Sequence, residues 1–182
     1  MSDDNSFRTL IEKVAAETEV YKIKLPVPES SLKGVLSKDS LKLHYGTLYG
    51  NYVKKALDGE GDFQVAGARL HTLFFEQFQA PQSRNTPTGL AEILINNKFG
   101  SFDDFKDSFT ETALGIHGSG WAYLDTNGKL KTIPNHKNVN DVAVIIDMWE
   151  HSYIIDYGSD KEAYLDKIWS IINWDIINAR LN

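Results

Sequence analysis

A chain of 182 residues with 19 basic and 25 acidic side chains, a formal net charge of −6 and no cysteine is long enough for one domain or two small halves around a shared core. The charge argues against a nucleic-acid surface, and the lack of any run of about 18 apolar residues argues against a membrane span. The lack of cysteine excludes disulfides, thiolate metal sites and cysteine nucleophiles, and the acidic start M-S-D-D-N-S does not read as a secretory signal, so the cytoplasm is the expected location.

Taken in order, the chain first shows Phe7, Leu10, Ile11, Val14 and Ala15 at the spacing of one helix face. This predicts an N-terminal extension over 1–20 that packs on the body or on another copy. Leu25 to Pro28 reads as an extended lead-in, because proline disfavours helix at itself and its predecessor. Ser37 is a good N-cap and Asp39 suits the first turn, so a helix is expected from there to about Leu57, ending near Gly59. Leu41, His44, Leu48 and Tyr52 would share its inner face. A second helix, about Asp62 to Gln79, carries Gly67, His71, Phe74, Phe75 and Phe78 on one stripe. A histidine in such a stripe is commonly a hydrogen-bonded core residue, yet one on each of two adjacent helices also suits a pair of ligands.

Residues 80–88, A-P-Q-S-R-N-T-P-T, are turn formers and read as a linker. Helices are expected over Leu90 to Asn96 and Phe102 to Leu114, the second opening at Ser101. Asn127-Gly128 between Trp121–Leu124 and Lys129–Ile133 predicts a β-hairpin. Val142 to Ile146 supplies a further strand, and one closing helix is expected from about Lys161 to Arg180. The division that follows is 1–20, a helical-hairpin region 21–80, a linker 81–88 and a C-terminal half 89–182.

The stretch from Val144 to Tyr153, V-I-I-D-M-W-E-H-S-Y, carries the chemistry. A β-branched run ends in Asp147, and His151 follows four residues later, so carboxylate and imidazole can reach one point. Together they suit a borderline first-row metal, although an isolated Asp-x-x-x-His has many structural explanations. D-M-W-E-H-S-Y resembles a signature of the iron/manganese superoxide dismutase family. L-H-Y-G-x-x-Y-x-x-Y-V around His44 and R-L-H-T-L-F-F around His71 are similar to that family's two helix motifs. P-T-G-L-A-E-I-L, F-G-S-F-D-D-F-K, G-S-G-W-A-Y-L and I-W-S-I-I-N-W-D-I-I-N follow in family order, extending the resemblance over roughly residues 21–181.

The resemblance implies an α+β fold, an N-terminal helical hairpin followed by an α/β half with a small three-stranded antiparallel sheet. It implies one iron or manganese ion per subunit, held by His44, His71, Asp147 and His151, that disproportionates superoxide to dioxygen and hydrogen peroxide. Tyr52 then guards the entrance, and His136 stands in for the family's solvent-binding glutamine, for which the second helix offers only Gly67. Whether His136 holds that role or is an exposed turn histidine stays open. Trp121 and Trp149 line the cavity, and Lys161 lies near its mouth. Glu150 bridges to the metal-ligating histidine of another subunit, so a homodimer is expected, with superoxide as the substrate. The stretch between His44 and His71 is short for the family, which also favours a dimer over a tetramer. Leu48 and Ile154 replace a polar gateway pair, and Arg69 and Phe75 stand where tryptophans are common. His117 has no assigned role. The alternative is a non-catalytic structural or metal-binding protein on the same fold, for instance one holding zinc.

Overall fold

The computed structural model describes residues 20–182; the helix expected over 7–19 lies outside them. From Ser37 the chain winds without interruption through α1 (Lys38–Leu41), a π-helical segment (Lys42–Tyr49) and α2 (Gly50–Leu57). Ser37 caps the start as expected, its hydroxyl accepting from the Ser40 N–H at 3.1 Å. The π segment was not anticipated. The buried residues along this run are Leu41, His44, Tyr49 and Val53, and within the π segment they step by five from His44 to Tyr49 where a regular helix steps by three or four. Leu48, expected beside His44 on the inner face, is rotated to a half-buried position, and Tyr49 takes its place.

A glycine turn leads into α3 (Asp62–Glu76), which ends three residues before the expected boundary. Gly67, His71, Phe74 and Phe75 are buried along it, and Phe78 is buried just beyond. α4 (Gly89–Phe99) and α5 (Phe102–Leu114) follow, α5 opened by Ser101, which accepts from the Asp104 N–H at 3.1 Å.

The sheet has three antiparallel strands in the order β2-β1-β3: β1 (Gly120–Asp125), β2 (Leu130–Pro134) and β3 (Val142–Asp147). Every residue of β1 and β3 is buried, because α5 packs on β1 and β2 while α3 and the C-terminal helix pack on β3. A strand covered on both faces loses the usual inside-outside alternation. The expected hairpin is present. Gly128 takes φ +80°, and the Asp125 carboxylate accepts from the N–H groups of Asn127 and Lys129 at 2.9 and 2.8 Å.

After Asp147 the chain makes a short 3₁₀ turn (Glu150–Ser152) and α6 (Ile154–Tyr157). The single closing helix expected over 161–180 is instead α7 (Lys161–Ile168), a 3₁₀ turn (Trp169–Ile171) and α8 (Trp174–Leu181). The break has a local cause. Asn173 is extended and its side chain caps α8 by accepting from the Asp175 N–H at 3.0 Å. The carbonyl of Ile172, freed from helix, accepts from Gln79 Nε2 at 3.0 Å and Asn85 Nδ2 at 2.7 Å. The periodic isoleucines masked a competing cap.

No helix among the described residues is long and apolar enough to cross a membrane. α3 and β3 are tied by polar groups inside the core. The fully buried Gln77 donates to the Ile145 carbonyl and accepts from the Ile145 N–H at 3.3 Å, while Arg180 Nη1 donates to Gln77 Oε1 at 3.1 Å and to the Ala143 carbonyl at 2.8 Å. Arg180 Nη2 adds the Leu73 carbonyl at 2.6 Å and Glu76 at 2.7 Å. Truncating Gln77 strands several buried partners at once. The Gln77→Ala variant is expected to lose about 2–4 kcal/mol in urea unfolding, and a loss below about 0.5 kcal/mol would show the tie to be dispensable.

Candidate metal centre

Each of four elements delivers one donor. β3 ends in Asp147, the following 3₁₀ turn carries His151, the π segment carries His44 and α3 carries His71. Asp147 and His71 are fully buried, His44 is 2% exposed and the His151 side chain 14%. Asp147 Oδ2 lies 3.1 Å from His44 Nε2, 3.3 Å from His151 Nε2 and 3.7 Å from His71 Nε2. One donor atom from each residue falls within 4.8 Å of the other three. Donors that share an ion at bond lengths of ~2.1 Å sit roughly 3 to 4 Å apart.

His151 Nε2 is within hydrogen-bond distance of Asp147 Oδ2 at 3.3 Å, while the other two imidazoles keep their Nε2 atoms free. His71 Nδ1 lies 2.6 Å from the Gly67 carbonyl, an acceptor, so Nδ1 carries the proton and Nε2 keeps its lone pair. Among the described residues His44 Nε2 and His71 Nε2 have no hydrogen-bond partner although both are buried. Two orphaned imidazole nitrogens facing a buried carboxylate oxygen fit a cation and fit an apolar core poorly. Asp147 is anchored by its other oxygen, which accepts from the Trp149 N–H at 2.8 Å, and by its carbonyl, which accepts from the Tyr164 hydroxyl at 3.1 Å. Burial pushes the Asp147 carboxyl up, but the facing His151 and His44 imidazoles outweigh it and hold the group well below the usual carboxylate range. Burial lowers His44, with Asp147 opposing, and lowers His71 strongly. Neutral imidazoles and an ionised carboxylate are the forms a metal binds.

His136 lies against this cluster. Asn135, at φ +55°, makes the left-handed turn that asparagine tolerates and donates its N–H to the Ser119 carbonyl at 2.9 Å. The His136 ring stacks on Trp149 at 4.6 Å, meets Tyr52 and Phe63 at 4.8 Å each and lies 5.8 Å from His71. Trp121 Nε1 donates to His136 Nδ1 at 3.1 Å, which assigns the proton to Nε2; that nitrogen is buried without a partner among the described residues. Gly67 makes the room. A Cβ there would sit 2.7 Å from the Tyr52 ring and 3.1 Å from that of His136.

Trp121 lies 5.0 Å from His71 and Trp149 5.7 Å from His151, and Tyr52 stacks at 5.2 Å from His71. Glu150 is exposed beside His151, and Lys161 Nζ lies 5.6 Å over the Tyr153 ring. His117 is exposed. Phe63, Tyr49 and Tyr164 were not anticipated from the sequence. Tyr49 stacks nearly parallel to His71 at 5.8 Å and is placed by the π segment, which leaves no periodic signal.

The geometry brings three imidazoles and one carboxylate to one point that could hold a metal ion, on a mixed α+β scaffold. Comparison with known proteins agrees. Residues 87–180 match the family described as iron/manganese superoxide dismutases, C-terminal domain. An iron superoxide dismutase of Bacteroides fragilis is 33% identical, the match covering 87% of this chain and 97% of that protein. A manganese/iron superoxide dismutase of Porphyromonas gingivalis is 33% identical over the same shares. A mitochondrial manganese enzyme of Aspergillus fumigatus is 33% identical over 82% of this chain and 86% of its own. The chain belongs to the iron/manganese superoxide dismutase family.

Burial lowers His136 to about 4, whereas an unfolded histidine titrates near about 6.5. Below that value the unfolded chain binds more protons than the folded one. His136 therefore contributes stability that is complete above about 6.5 and is lost as pH falls towards 4, and the lowered His44 and His71 act in the same direction. The urea midpoint of metal-free protein should drop across this window, and less so in His136→Gln. A midpoint that stays flat would contradict the burial of these imidazoles.

Proposed function

We propose that the protein is a superoxide dismutase holding one iron or manganese ion between His44, His71, Asp147 and His151. The observation that carries this reading is the pair of buried, unpartnered Nε2 atoms of His44 and His71 facing Asp147 Oδ2. Bound there, either ion supplies a one-electron couple through which one superoxide is oxidised to dioxygen and another, with two protons, is reduced to hydrogen peroxide. Nitrogen and oxygen donors suit both metals, and the relatives' names include both.

The chain's own groups do the rest. The Gly67 carbonyl fixes the tautomer of His71, and the Trp149 N–H turns Asp147 so that Oδ2 faces the imidazoles. His136, its tautomer set by Trp121, holds an N–H in the position where the family uses glutamine. Tyr52, whose hydroxyl pKa is raised by burial and by the Asp147 charge, keeps its proton and can give it to reduced substrate. Trp149, Trp121 and Phe63 keep bulk water off the cluster, which strengthens every charge interaction within it.

The active form in this reading is a cytoplasmic homodimer. Glu150 is exposed next to His151, and Ile154 and Ile155, each 45% exposed, lie a few residues further on. These groups suit a two-fold contact in which Glu150 of each copy bonds His151 of the other. Leu48 and Ile154 remove both halves of the family's polar gateway together, so neither leaves a buried group unpaired.

Elemental analysis and a cytochrome c competition assay on protein loaded with iron, manganese or zinc test the reading. Iron or manganese protein should be active and zinc protein inert, since zinc does not cycle. His71→Ala should keep its circular dichroism but lose metal and activity. Full activity in His71→Ala would overturn the assignment.

A further inference from the structure

We infer that the exposed Lys55–Glu60 pair sets the charge of the entrance that Tyr52 guards, Glu60 working against Lys55 and so limiting the supply of small anions to the cluster. The inference rests on the reading of the cluster as a metal centre and adds the residues that govern its supply.

The cavity holds about 240 Å³ and is lined by Leu48, Asn51, Tyr52, Lys55, Phe63 and Gln64. Two of these form its inner wall. The Tyr52 ring lies 5.2 Å from His71 and 4.8 Å from His136, and Phe63 is 4.8 Å from His136 on the other side. Behind them sits His136, 5% exposed, with Nε2 buried and unpartnered among the described residues. Gln64 Oε1 is likewise buried with no partner there. A half-turn of this amide presents an NH₂ donor to an anion without breaking a bond. Another cavity, about 410 Å³, has Arg69, Glu76 and Arg180 in its wall, but none of the four cluster residues and none of Tyr52, Phe63, Trp121, His136 or Trp149.

Lys55 is the cation of the smaller cavity's lining, and its neighbours Leu48 and Phe63 are apolar. A single charge between low-polarity walls governs the local field even on a chain of net charge −6. That field is partly cancelled. Glu60 Oε2 lies 3.4 Å from Lys55 Nζ, the two side chains 46% and 48% exposed. The placement of Glu60 is built into the backbone: its N–H donates to the Lys55 carbonyl at 3.0 Å, between Gly59 at φ +79° and Gly61 at φ +103°. An exposed pair of this kind contributes little to stability. Changing either member therefore alters the entrance charge and leaves the fold intact.

Azide serves as the probe, titrated into metal-loaded protein and followed by the optical absorption of the metal, with metal content measured for every sample. At low salt Lys55→Gln should weaken azide binding roughly threefold and Glu60→Gln should tighten it by a similar factor. The three proteins should converge as salt rises above about 0.5 M. The second-order rate with superoxide should follow the same order. Equal azide affinities and equal salt dependence in all three, at full metal content, would overturn the inference while leaving the centre in place. Failure of the unaltered protein to take up metal would instead sink the reading of the cluster itself.

Discussion

A carboxylate with no exposure to water is the constraint on which this structure depends. Asp147 sits at the end of a strand buried on both faces, where an isolated negative charge would cost far more than a domain's whole margin of stability. One oxygen is met by a backbone N–H and the other by three imidazoles. The buried imidazoles of His44 and His71, neutral because burial lowers them, only partly answer the charge, and their facing nitrogens have no hydrogen-bond partner among the described residues. A divalent or trivalent cation at that point satisfies carboxylate and imidazoles together.

The surrounding fold serves to keep four donors from four elements in one place. β3 and α3 carry Asp147 and His71, and the Gln77–Ile145 bonds with the Arg180 fork lock these elements together. The break at Asn173 belongs to the same arrangement, since Asn173 donates its N–H to the Gln77 carbonyl at 2.7 Å. Around the centre, Gly67 and His136 form a complementary pair. The helix position that carries no side chain is the one against which the imidazole packs, so His136 fills the space that a longer residue on α3 would occupy.

Much of this was legible in the sequence, for physical reasons. Ser37 and Ser101 announce helix starts because their hydroxyls satisfy orphan N–H groups. The β-branched run ending at Asp147 suits a strand, and the motif resemblance singled out the four residues that cluster. The misses fall where long-range contacts override local pattern. Nothing in L-H-Y-G-T-L-Y-G marks a π segment, because its wider turns are held by packing of Tyr49 on His71 and by its hydroxyl bond to Thr72. The isoleucines of 168–177 suit a continuous helix, yet Gln79 and Asn85, some ninety positions upstream, take the Ile172 carbonyl. Gln77 and Arg180 look like surface residues in the sequence and become core ties only once α3, β3 and α8 meet. Tyr52 and His136 were legible only through the resemblance, since neither residue type has a spacing of its own.

The most direct test is X-ray absorption at the metal edge of iron- or manganese-loaded protein, with one ion per chain established beforehand. The account predicts a shell with three imidazole nitrogens and a carboxylate oxygen at about 2.0–2.2 Å, and loss of one imidazole in His44→Ala. A shell of oxygen donors alone, or one unchanged by His44→Ala, would place the ion elsewhere and contradict it.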